Sequence, residues 1–144
     1  MFAPASPSSH RASASAGAYR QVGVETGVAA ASPHQLVAML FDGFNDALAQ
    51  ARAALAARNI EAKCKAISRA VRIVDEGLKA NLDPAGGELS ANLGALYAYV
   101  ALRLTEANLR NDVATLDECL HLMAPVRSAW LAIQPAAADG ADVQ

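Results

Sequence analysis

From residue 36 onward apolar residues recur every three or four positions, the repeat of a helix buried along one side. The first such run holds Leu36, Met39, Leu40, Ala47, Leu48, Ala51 and Leu55 and continues to about Arg58. Ser32 stands where an N-cap belongs, with Pro33 at the first helical position and Gln35 three residues after the cap. Asn59 caps a second helix, in which Ile60, Cys64, Ile67, Val71, Val74 and Leu78 alternate steps of four and three. The cluster NLDPAGG at residues 81–87 stops it. A third helix follows over residues 88–110, with Leu89, Leu93, Leu96, Val100, Leu104 and Ala107 on one face. Asn111 and Asp112 end that helix and cap a fourth, whose stripe is Val113, Leu116, Leu120, Met123 and Leu131. Cys119, Leu122, Val126, Trp130 and Ile133 widen this last stripe. Pro125 lies inside it and predicts a kink near residues 121–125, because proline cannot donate to the carbonyl of His121. Short connections between long helices predict an all-α, antiparallel up-down-up-down four-helix bundle over residues 32–134.

The pattern also holds more apolar surface than such a bundle needs. On the third helix Ala91, Ala95, Ala98, Leu102 and Leu109 form a second line opposite the first. On the second helix Ala62, Ala66, Ala70, Ile73, Gly77 and Ala80 lie beside the main seam. Together these two lines cover roughly 200° of the second helix, against the roughly 100° that a surface helix requires. Deep burial of the second helix accounts for its excess alone, but three of four helices cannot all be central. A partner segment lying in apolar grooves is therefore expected. The candidate contacts are Ala66, Ala70, Ile73 and Gly77 on the second helix, Ala95, Leu102 and Leu109 on the third, and Leu122 and Val126 on the fourth.

Composition narrows the class. The chain has 144 residues, 53% of them hydrophobic and only 5% aromatic, which suits helices better than sheets. A net charge of −2 gives no basic footprint for nucleic acid. Residues 1–18 and 135–144 are rich in Ala, Ser and Pro or otherwise poor in residues to bury, so both tails are expected to be disordered. Between the first tail and the bundle, residues 19–31 form an arm with an apolar island, Tyr19, Val22 and Val24, suited to cover an empty groove. With neither a signal peptide nor a membrane span in evidence, a soluble cytoplasmic protein is expected. Cys64 and Cys119 lack metal-ligand spacing and are expected as reduced thiols.

Candidate chemistry is sparse. Glu118 and His121 form a single Glu-x-x-His, whereas a di-iron bundle needs two such pairs and two further Glu residues. No metal and no cofactor are expected. A histidine phosphotransfer-like module would use His121 as acceptor, yet no Lys or Arg lies within a turn of it to stabilise a phosphoryl group. Nucleophile triads and phosphate-cradling loops are absent, and the chain does not read as an enzyme.

Several residues carry a family likeness. They are Tyr19, the run ASPHQLVAMLFDG at residues 31–43, and Gly86, Gly87 and Glu88 followed by Asn92, Leu93, Leu96, Tyr97 and Tyr99. Leu104, Ala107, Asn108, Asp112 and the closing Arg127, Ser128, Ala129 and Trp130 complete the set. In this order they resemble the flagellar export chaperone family, FliS, over about residues 19–133. Phe41 departs from the usual Tyr, and Phe44 from a usually smaller residue. The resemblance implies a cytosolic four-helix chaperone that binds the disordered C-terminal region of flagellin, prevents its early polymerisation and accompanies it to the flagellar type III export gate. It also implies a client wrapped partly as helices in hydrophobic grooves, with the N-terminal segment over part of the cleft. A phosphotransfer-like signalling module and a self-associating bundle, a homodimer through the third helix, are the alternatives.

Overall fold

A computed structural model describes residues 31–133. The expectations for Tyr19, Val22, Val24 and the two tails fall outside the described residues. Four helices make up the described chain: α1 (Pro33–Ala56), α2 (Ile60–Arg72), α3 (Gly87–Arg110) and α4 (Val113–Ala132). Ser32 and Gln35 form the expected capping box at the start of α1. Asn59 caps α2 through the Ala62 amide, and Asp112 caps α4 through the Thr115 amide. Asn111 ends α3 in the left-handed region with φ 53°. Gly87 opens α3 at φ +63°, a conformation that a side chain there would strain.

One feature of α2 escapes a period-based expectation. Beyond Arg72 the helix widens into a π turn over Ile73–Leu78 and then tightens into a 3-10 turn over Lys79–Asn81. A π turn adds a residue per turn without changing which residue types appear, so the three-and-four spacing does not disclose it.

The helices pack in ring order, with α1 against α2, α2 against α3, α3 against α4, and α4 back against α1. Residues from the start of α1 (Val37, Phe41), the end of the second helix (Leu78), the start of α3 (Leu93) and the end of α4 (Trp130) surround one cavity. Leu55, Ile60, Asn111 and Val113 meet at the opposite pole. Successive helices therefore alternate in direction. Phe41, Phe44, Leu48, Ile67, Val74, Val100, Leu104, Leu116 and Met123 fill the centre. Expected core residues nearer the poles, Ile60, Leu89, Val113 and Leu131, are exposed because their helices run past the centre.

Here the expectation for the second helix is corrected. Ala66, Ala70 and Ile73 belong to the hydrophobic core, and Gly77 is buried with them. The strip is thus inaccessible as a groove floor for a partner. Small residues do admit a neighbouring helix, but that neighbour is α1. A Cβ on Gly77 would lie 3.0 and 3.1 Å from the methyl groups of Leu40, and one on Gly43 would lie 3.3 Å from Ile73 Cδ1. The width of apolar surface on α2 arises because α1 and α3 cover both of its sides.

Polar groups tie the helices at their rims. Arg52 pairs with Asp117, and Arg127 donates to Asp42 Oδ1 from Nη2 at 2.9 Å, both linking α1 to α4. Lys63 is only 2% exposed, and its ammonium donates to the carbonyl of Asn108 at 2.7 Å. That bond satisfies one of the carbonyls left open at the C-terminal turn of α3. α4 runs without interruption through Pro125 to Ala132.

The two thiols differ in reactivity. Cys119 is fully buried, and burial pushes its thiol up to about 12, whereas Cys64 is partly accessible. Native protein is expected to take up one equivalent of a thiol reagent and unfolded protein two. Rapid native labelling of both would contradict the buried position of Cys119.

Candidate functional site

An exposed apolar line runs along the outer face of α3. Ala91, Ala95, Ala98, Leu102 and Leu109 all face solvent, with Leu102 57% and Leu109 81% exposed. The opposite face, with Val100, Leu104 and Ala107, is sealed in the core. A helix covered on both sides by α2 and α4 thus presents a ridge that faces solvent among the described residues.

One flank of the ridge is polar and well fixed, and the other is a recess with Ile67 and Val71 in its lining. Toward α4, the Tyr99 hydroxyl donates to Glu118 Oε2 at 2.7 Å, and Arg103 Nε donates to Glu118 Oε1 at 2.9 Å. Arg103 also reaches Glu106 at 2.6 Å. The Tyr99 hydroxyl, followed by the Arg103 guanidinium, holds the Glu118 carboxyl below the ordinary 4.5. Glu118 is thereby engaged in joining α3 to α4, while His121 is exposed one turn further on. Among the described residues no group of His, Cys, Asp and Glu is arranged to hold a metal ion. Toward α2, a recess of about 340 Å³ is lined by Ser68, Val71, Arg72, Thr105 and Asn108.

A second candidate feature is the cavity at the pole where α1 begins and α4 ends. It measures about 370 Å³ and is walled mainly by apolar side chains, among them Phe41, Leu82, Leu89, Tyr97, Val126 and Trp130. The described chain enters and leaves the bundle here. The His34 and Trp130 rings stack with centroids 4.8 Å apart. The indole N–H donates to the His34 carbonyl at 3.0 Å, and His34 Nε2 donates to the Trp130 carbonyl at 2.8 Å. This reciprocal pair pins the first turn of α1 to the last turn of α4, across 96 residues of sequence.

The candidate residues read from sequence therefore separate into distinct places. Ala95, Leu102 and Leu109 share the outer ridge of α3. Val126 lines the apolar cavity at the pole, and Leu122 is partly buried against the core. Ala66, Ala70, Ile73 and Gly77 are interior. Sequence reasoning missed Val37, Leu82, Leu89 and Leu93 as cavity-lining residues. Their signal was available: in an alternating bundle, apolar residues at the start of the first and third helices meet those at the end of the second and fourth.

Residues 15–137 match the model of the flagellar protein FliS family. The flagellar secretion chaperone FliS of Salmonella typhimurium is 50% identical over 121 residues, covering 83% of this chain and 90% of that protein. The protein of the same name from Escherichia coli is 45% identical over 114 residues, covering 78% and 84%. A more distant one from Bacillus subtilis is 34% identical over 116 residues, covering 78% and 80%. A match over most of the chain and three relatives above 30% identity place the chain in the flagellar protein FliS family.

Proposed function

We propose that this protein is a cytoplasmic, non-enzymatic secretion chaperone that holds the disordered C-terminal region of flagellin and delivers it to the flagellar type III export gate. The observation that carries the reading is the uncovered ridge of α3, with Leu102 and Leu109 in solvent. An unfolded client gains by laying an amphipathic helix along such a ridge, because each leucine covered contributes about 1.5–3 kcal/mol. Ordering the client offsets part of that gain, so affinity depends on how many of these contacts form together. Ala95, Leu102 and Leu109 supply the ridge contacts, and the recess beside Thr105 accepts side chains from the client helix. Val126 would meet a further client segment at the cavity, and Leu122 lies between the two places on α4. Tyr99, fixed by Glu118, walls the other flank.

The apolar cavity supports a role for the arm. Its mouth adjoins His34 and Trp130, and the chain N-terminal to Ser32 begins at that point. Tyr19, Val22 and Val24 would seat there when no client is bound and leave when a client segment takes the space. No helix among the described residues is long and apolar enough to cross a membrane.

Titration with a flagellin C-terminal fragment tests the proposal. Circular dichroism is expected to show helix gained beyond the sum of the parts, and calorimetry a negative heat-capacity change. A fragment that binds without either signature, or does not bind, would overturn coupled folding on this surface.

A further inference from the structure

We infer that the recess between α2 and α3 takes a glutamate side chain of the client helix, with its carboxylate held by Arg72 and Asn108. The inference rests on the client reading and deepens it by naming a residue that the client must carry. Thr105 belongs both to the exposed line of α3, between Leu102 and Leu109, and to the lining of the recess. A helix that covers both leucines therefore crosses the mouth of the recess. It places there the residue that lies three or four positions from each of its own leucine contacts. Ile67 and Val71 give the recess an apolar lining, while Ser68, Arg72 and Asn108 bring hydrogen-bond donors to it. The volume of about 340 Å³ admits a long side chain. Methylenes suit the apolar part, and an acceptor head suits the donors.

The Asn108 amide sets the polarity. Its Oδ1 is sealed from solvent with no hydrogen-bond partner, an uncommon state for a buried oxygen. Reversing the amide would seal two donors in place of one acceptor, at greater cost, so the NH2 group is the half left for the recess. The backbone carbonyl of the same residue does not repel a carboxylate, because the Lys63 ammonium donates to it at 2.7 Å. That buried ammonium also adds positive potential behind the recess. Arg72 is exposed and has no ion pair among the described residues. A free guanidinium beside an amide NH2 matches an anionic acceptor, and hydrogen bonds between charged partners are the stronger ones. Glutamate meets both demands, since its methylenes lie against Ile67 and Val71 while its carboxylate reaches the rim. Aspartate is a methylene shorter, and glutamine would leave Arg72 without a counter-charge.

The test titrates the full chain with the flagellin C-terminal fragment. Arg72→Glu is expected to weaken binding by at least about tenfold. Asn108→Asp, which trades the NH2 group for an oxygen of similar size, should weaken it about fivefold. Melting temperatures should hold, since Arg72 is exposed and a carboxylate at position 108 has the Lys63 ammonium beside it. Arg69→Glu makes the same charge change on the α1 side of α2, where Arg69 Nη2 lies 3.5 Å from the space that a Cβ on Gly43 would fill. That control should leave affinity unaltered. Glutamates of the fragment are then changed to lysine one at a time. One exchange, at a position with apolar residues three or four places to either side, is expected to restore binding to the Arg72→Glu protein. Equal losses in Arg69→Glu and Arg72→Glu, unaltered affinity in either recess variant, or no restoring exchange would overturn the glutamate site while the client reading stands. A fragment that does not bind the unmodified chain would overturn both.

Discussion

Leu102→Asp is expected to leave the chain folded and to weaken flagellin binding by at least about thirtyfold, on the order of 2–4 kcal/mol. The leucine is 57% exposed at the middle of the α3 ridge, so the bundle makes little use of its side chain. Its replacement costs the free protein only about 0.5 kcal/mol of helix propensity. In the complex the same change removes the apolar contact and obliges a carboxylate to enter a dry interface. Far-ultraviolet circular dichroism and the melting temperature should barely move, while isothermal titration shows the loss. Unaltered affinity would remove α3 from the binding surface.

Ala70→Asp should do the reverse. Ala70 is fully buried where α2 packs within the bundle. A carboxylate there is taken out of water, and burying it is expected to destabilise the fold by about 3–5 kcal/mol. That is a large share of the roughly 5–15 kcal/mol that holds a domain of this size together. A fall in melting temperature of about 10 °C or more should follow, with client binding lost only because the bundle is lost. A variant that melts normally yet fails to bind would return α2 to the client surface. The two substitutions add the same charge to apolar faces of neighbouring helices, and burial alone makes their outcomes opposite.

Most of the architecture was legible in the chain because caps and periodicity are local. Ser32 with Gln35, Asn59 and Asp112 marked three helix starts, and all three act as caps. The outer line of α3 was equally legible, since a helix buried on one face shows its other face directly in the spacing. On α2 the same logic failed. A wide apolar arc is produced equally by a partner from outside and by close neighbours on both sides. Only the distance from Gly77 to Leu40 separates the two cases, and distances between helices are not written in the spacing. The π turn at Ile73–Leu78 was equally hidden, because it changes the winding of the helix without changing the spacing of apolar residues. The apolar cavity at the pole draws residues from all four helices. It becomes visible only once the direction of each helix is combined with its length.

Trp130 is the sole tryptophan of the chain. Its indole borders the cavity and is held by a hydrogen bond to the first turn of α1. Intrinsic emission excited at the red edge therefore reports on one spot alone. Whatever enters or leaves that end of the bundle, a covering arm or a length of flagellin, alters the polarity around a single chromophore. Traffic through the site can thus be timed without attaching a dye.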